Sequence, residues 1–158
     1  MPRISALLHT HNDAHRLGRA LESLRPCDEV LIIDNSSEDE TAQVARQYGA
    51  IVKSAIPGVT SGAYAMDTSH VWVLCLHPNE TLSEDLEASL FEWKNMEPQD
   101  GVACYRISIR EQNGHGWRSR PPEVRLVNRK LMNWVGEIPA DEQCDMTLSG
   151  DLLCFHQP

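Results

Sequence analysis

An alternation of short apolar runs with amphipathic, cap-bearing segments constrains this chain more than any other feature. Residues 4–8 are apolar enough for a buried strand. Asn12 or Asp13 then stands where a helix cap belongs, and Leu17, Ala20, Leu21 and Leu24 share one helical face before Pro26 ends it. Residues 29–33 are largely β-branched and mostly apolar, which predicts a second buried strand. Ser37 and Glu40 have capping-box spacing, 38–48 has a helical period, and Gly49 is a natural stop. A third short strand is expected at 50–53. Strand, helix, strand, helix, strand is the order of a parallel sheet with crossover helices, an α/β fold.

The pattern resumes after a loop at 57–62 and a short helix expected at 63–69. Residues 71–76 make the strongest strand of the chain, and the triplet His77, Pro78 and Asn79 breaks it. Ser83 caps a further helix with Leu86, Leu90 and Trp93 on one face. Beyond residue 101 the texture changes. Residues 102–109 alternate loosely, 112–116 are turn-rich, and strands are expected at 123–127, 131–135 and 148–155. These late strands have no helical spacers, so a small mixed or antiparallel section is expected after the mostly parallel half. No repeat and no separating linker is visible, which predicts one domain over 1–158.

The chain has 158 residues, 41% apolar and 23% charged, enough for one sizeable core. No run approaches the roughly 20 apolar residues needed to span a bilayer, and the first ten residues do not read as a signal peptide. A cytoplasmic location is therefore expected. The formal charge of −9 disfavours a non-specific nucleic-acid binder, which needs a basic surface. The basic residues Arg106, Arg110, Arg118, Arg120, Arg125, Arg129 and Lys130 nonetheless gather late in the chain. The five cysteines have no ligand spacing, and Cys75, Cys104 and Cys154 fall inside apolar runs. They are expected to be reduced core residues.

Residues 3–54 read, in order, as an apolar strand ending in Thr10, Asn12 and Asp13, a helix, a strand ending in Asp34, the series Asp34, Ser36 and Asp39, and a second helix. That ordered series resembles the nucleotide-binding half of family 2 glycosyltransferases, which have the GT-A, Rossmann-like fold. The likeness is nearest to the group that adds sugars to lipopolysaccharide core. It resumes over 71–90 and is looser over 120–156. The resemblance implies a nucleotide-binding half at 1–100 and an acceptor-side half at 101–158. A sugar nucleotide would lie outside the carboxyl ends of the parallel strands. Thr10, Asn12, Asp13, Asp34, Ser36 and Asp39 are the residues it would meet, with Asp34 accepting from an N–H of the base. Asn12, Ser37 and Asp39 also suit helix caps and first-turn acids.

The family carries Asp-x-Asp after the strand ending at Leu76, and holds Mg²⁺ or Mn²⁺ against the diphosphate there. This chain has His77, Pro78, Asn79 and Glu80 instead. Glu80 matches the acid that follows the motif. His77 and Asn79 add no negative charge, so Mn²⁺ or Mg²⁺ should bind weakly. A family arginine before the diphosphate has no counterpart across 62–68. Asp141 and Glu142 fall where relatives carry a general base, and Arg125 and His156 match recurrent family positions. Three readings stay open: a sugar-nucleotide-dependent transferase, a non-catalytic sugar-nucleotide binder or partner protein of the same fold, and a metal module built on His9, His11 and His77.

Overall fold

The computed structural model describes residues 2–96, 101–140 and 144–156. Strand β1 (Ile4–Thr10), helix α1 (Ala14–Glu22), strand β2 (Glu29–Asp34), helix α2 (Thr41–Gln47) and strand β3 (Ile51–Ser54) come first. Helix α3 (Ser61–Ala65), strands β4 (Trp72–Cys75) and β5 (Glu80–Leu82) and helix α4 (Glu84–Asn95) follow. Strands β6 (Cys104–Asn113), β7 (Gly116–Asn128) and β8 (Thr147–Cys154) complete the chain. One eight-stranded sheet has the order β3-β2-β1-β4-β7-β6-β8-β5.

The half from β3 to β4 is parallel, with Thr10 opposite Asp34 and Ile4 opposite Trp72. The runs of β1, β2 and β4 are mostly apolar because both sheet faces are covered there, whereas β3 at the edge is largely exposed. Ile4, Ala6 and Leu8 face the layer of Leu17, Ala20, Leu86, Leu90 and Trp93. Leu7, Leu31, Val73 and Cys75 face Tyr64, Ala65 and Trp134 on the other side. Trp72 and Trp93 meet edge to face at 5.0 Å under α4, with Tyr105 beside them. The remaining half is mixed: β7 is antiparallel to β4 and β6, β8 is parallel to β6, and β5 closes the edge antiparallel to β8. The α/β, mostly parallel expectation with a mixed C-terminal section therefore describes this sheet.

Several boundaries moved for physical reasons. Helix α2 begins at Thr41, and the capping box between Ser37 and Glu40 does not form. The Ser37 hydroxyl is taken instead by Asp34 and by the Asn12 N–H. The expected strand at 131–135 is loop, because its backbone turns to cover α3: the Ser61 and Gly62 N–H groups donate to the Val135 and Trp134 carbonyls. Gly62 permits that approach, since a Cβ there would lie 2.5 Å from the Trp134 carbonyl oxygen. Strands β6 and β7 extend through the turn-rich 112–116 as a hairpin, and the register slips where Pro121 and Pro122 offer no N–H. The three-residue β5 was missed. It is too short to show periodicity before the Ser83 cap.

Candidate functional site

The carboxyl ends of β1 and β2 are joined by hydrogen bonds that the sequence encodes side chain by side chain. Asp34 Oδ1 accepts the hydroxyls of Thr10 at 2.7 Å and Ser37 at 2.5 Å, while Oδ2 accepts the Ser37 N–H at 3.1 Å. Asn12 Oδ1 accepts the Glu38 N–H at 2.7 Å. Asn12 and Ser36 both adopt φ of 52°, a left-handed backbone that asparagine tolerates better than serine. Asp39 caps two elements at once, accepting the Ala14 N–H of α1 at 3.1 Å and the Thr41 N–H of α2 at 3.0 Å. The Thr41 hydroxyl is first among the bonds that hold the Asp39 carboxyl below its usual range.

Beside these strand ends lies a cavity of about 990 Å³. Thr10, Asp13, Ser36, His77 and Asn79 line it, so five of the expected site residues come together. Asn12, Asp34 and Asp39 are not among its lining; they build the loop behind it. Asp141 and Glu142 lie outside the described residues. Two arginines line the cavity as well. Arg16 meets Asp13 at 2.5 Å, and Arg120 meets Glu123 at 2.5 Å. Sequence reasoning missed Arg16, although it stands one helical turn beyond Asp13. It saw Arg120 only as part of a basic cluster.

The end of β4 departs from a metal-binding loop. Glu80 is 1% exposed, and Arg125 grips both its oxygens at 2.6 and 2.9 Å. The His77 N–H adds a third bond at 2.7 Å. Burial pushes the Glu80 carboxyl up, and the Arg125 bonds outweigh it, leaving the group below the usual carboxylate range. The Asn79 amide N–H donates to the Phe155 carbonyl at 3.1 Å. Among the described residues no three His, Cys, Asp or Glu side chains stand close enough to hold a metal ion. The alternative of a metal module built on His9, His11 and His77 therefore finds no such cluster. The His9 ring reaches Ser61 at 3.0 Å, whereas His11 turns to the Asn35 carbonyl at 2.6 Å. With one carboxylate locked and an imidazole and an amide in the motif positions, the donor set does not fit a hard divalent cation.

His9 lines the cavity as well. Burial pushes its imidazole down, Glu137 opposes this in part, and His77 adds to it. Glu137 lies 3.4 Å from His77 Nδ1 across the cavity. The positions Arg125 and His156 are both engaged, His156 with Glu111 at 2.7 Å.

The model of glycosyl transferase family 2 matches residues 5–148. The chain belongs to glycosyl transferase family 2. A Rickettsia prowazekii protein described as an uncharacterized glycosyltransferase is 32% identical over 161 residues, which cover 96% of this chain and 55% of that protein. A Rickettsia felis protein of the same description is 29% identical over 161 residues, with 96% and 57% covered. The chain thus spans about half the length of the curated relatives it matches. Among solved structures, Staphylococcus aureus TarS 1–349 in complex with UDP superposes with a TM-score of 0.65 at 14% identity, covering 99% of this chain and 61% of that one. Glucosyl-3-phosphoglycerate synthase of Mycobacterium tuberculosis, in complex with Mn²⁺, UDP-glucose and phosphoglyceric acid, gives 0.52 at 18%, covering 72% and 45%. These neighbours share the GT-A fold with this family 2 member. No helix among the described residues is long and apolar enough to cross a membrane.

Proposed function

We propose that this domain moves a sugar from a nucleoside diphosphate sugar to an acceptor hydroxyl, using the cavity at the carboxyl ends of β1, β2 and β4. The observation that carries the reading is the gathering of Thr10, Asp13, Ser36, His77 and Asn79 around that cavity. In the proposed reaction the acceptor oxygen attacks the anomeric carbon, and the bond to the diphosphate breaks. The nucleoside diphosphate leaves with the electron pair, and the hydroxyl proton passes to a base. Glu137 lines the cavity and starts the segment that carries the candidates Asp141 and Glu142. Residues 1–100 hold the donor and residues 101–158 face the acceptor. The likeness to lipopolysaccharide core transferases makes a core saccharide the first acceptor to test.

Donor binding is proposed to depend little on Mn²⁺ or Mg²⁺, because His77, Asn79 and the locked Glu80 offer no free carboxylate pair. The same observation favours a second reading, a sugar-nucleotide binder that kept the fold without the reaction. Thermal unfolding with a panel of sugar nucleotides, with and without Mn²⁺, tests binding. A donor at 100 times its dissociation constant adds about 2.7 kcal/mol. Release of free nucleoside diphosphate on adding acceptor then separates the two readings, and no stabilisation by any sugar nucleotide sinks both.

A further inference from the structure

We infer that the tip of the β6–β7 hairpin is a subsite for a neutral saccharide. A second cavity of about 310 Å³ lies there, lined by Gln112, Gly114, His115, Gly116, Trp117 and His156. Its volume suits one or two sugar rings. The indole of Trp117 is 39% exposed and sits edge to face with Phe155 at 5.2 Å. Phe155 is in turn covered by the Arg19 guanidinium, 3.8 Å from its ring centroid. The indole is therefore set in place before any ligand arrives, which lowers the ordering cost of binding.

The chemistry of the wall selects the ligand. Among the described residues no lysine, arginine or carboxylate lines this cavity; the Arg110 guanidinium stands outside it, 5.9 Å from the Trp117 ring centroid. The adjoining Glu111 is already taken by His156 and Arg118. What the wall offers is an aromatic surface beside amide and imidazole groups that can both donate and accept. The side-chain carbonyl of Gln112 is shielded and has no hydrogen-bond partner. A Cβ at Gly114 or Gly116 would meet nothing within 4 Å, so the turn leaves open space there. A pyranose matches this set, with an apolar C–H face for the indole and hydroxyls for the polar rim.

The position gives the subsite a purpose. Trp117 lies three residues before Arg120 on the same strand, about 10 Å along an extended chain, with its side chain on the opposite face from Arg120, which lines the larger cavity. Cys154 and His156 make the same link on the far side of the hairpin. A saccharide held at Trp117 would reach toward the donor cavity as part of an acceptor. That role rests on the transferase reading, whereas binding of a neutral saccharide at Trp117 does not.

The test is an NMR titration of the ¹⁵N-labelled chain, following the indole N–H signals of Trp72, Trp93, Trp117 and Trp134. The probes are methyl β-glucopyranoside, methyl α-mannopyranoside, lactose and uridine monophosphate. The saccharides should move the Trp117 signal, and uridine monophosphate should not. Trp117→Ala should weaken saccharide binding about tenfold or more while the other three indole signals stay in place, and Trp117→Phe should retain part of it. The inference is overturned if none of the three saccharides moves Trp117, if the nucleotide alone does, or if saccharide binding survives Trp117→Ala. UDP added to the same samples separates the two ideas. Saccharide shifts without UDP binding sink the donor reading and leave this one standing; the reverse sinks this one alone.

Discussion

The Arg125 guanidinium grips both carboxylate oxygens of Glu80, at 2.6 and 2.9 Å, and each residue is 1% exposed. The bond ties the start of β5 to the C-terminal part of β7, the strand on which the sheet changes from parallel to antiparallel pairing. A third bond, from Arg125 Nη2 to Glu123 at 3.0 Å, uses the remaining charge. The acid that follows the altered motif is thus a structural anchor for the cavity wall.

Removing one member of that pair should be far worse than removing both. Arg125→Met alone leaves a buried, unpaired carboxylate and should cost about 3–5 kcal/mol. Arg125→Met with Glu80→Gln removes both charges and should recover most of the loss. Urea denaturation of the two variants beside wild type measures this. Equal destabilisation in single and double variants would show that the pair's charges are not coupled.

The same pair should set part of the acid stability. Glu80 titrates lower in the fold than its ordinary value of 4.5. Its ionised form therefore stabilises fully above that value, and the contribution is lost as pH falls through the lower folded value. Asp28 and Glu29 act in the same direction. Burial pushes each up, but bonds from Lys94 and the Ile4 N–H on Asp28, and from Ser69 on Glu29, leave them lowered. Unfolding free energy should fall steeply below about pH 4.5. The Arg125→Met, Glu80→Gln variant should show a shallower fall, by up to about 1.4 kcal/mol per pH unit for the proton it no longer takes up. Identical slopes would remove Glu80 from the account.

The cysteines should be chemically quiet. All five are free. Burial pushes the thiols of Cys27 and Cys75 up to about 12, with Asp28 adding to the effect at Cys27. Since the thiolate is the reactive form, a disulfide reagent at pH 8 should react slowly with the folded chain. It should count five thiols on unfolding without reductant. Three or one would reveal a disulfide that the fold does not contain.

How much of this was legible in the sequence follows from the range of the forces involved. The parallel half was readable because burial on both faces makes β1, β2 and β4 continuous apolar runs, a local signal. Strand β5 and the loop at 131–135 were not, because their conformation is decided by distant partners: β8 for the first, Gly62 for the second. The site divides the same way. Thr10, Asp13 and Ser36 reach the cavity because strand ends and helix starts put them there. The bond between Arg125 and Glu80 joins positions 45 apart in the chain, and nothing local to either residue announces it. Ser37 looked like a cap on local spacing, yet Asp34 and Asn12 compete successfully for its hydroxyl.

Asp34 decides whether the strand-end loop or the ligand owns that carboxylate. The sequence suggested an acceptor aimed at a nucleotide base. In the fold, Oδ1 already takes two hydroxyls and Oδ2 takes a backbone N–H, so three bonds organise the turn through Ser36 before any ligand enters. Asp34→Asn keeps the shape but replaces one acceptor by an N–H₂ group, which cannot serve both the Ser37 N–H and the hydroxyls. The variant should lose about 1–3 kcal/mol of stability. Because Thr10 and Ser36 line the cavity, it should also bind UDP about tenfold more weakly by misplacing the wall. Thr10→Val removes a single donor and should cost about 1 kcal/mol, with a smaller effect on binding. Denaturation and calorimetry on the same samples read both quantities. An unchanged unfolding midpoint with a large loss of UDP affinity would return Asp34 to direct contact with the base and take it out of the loop's support.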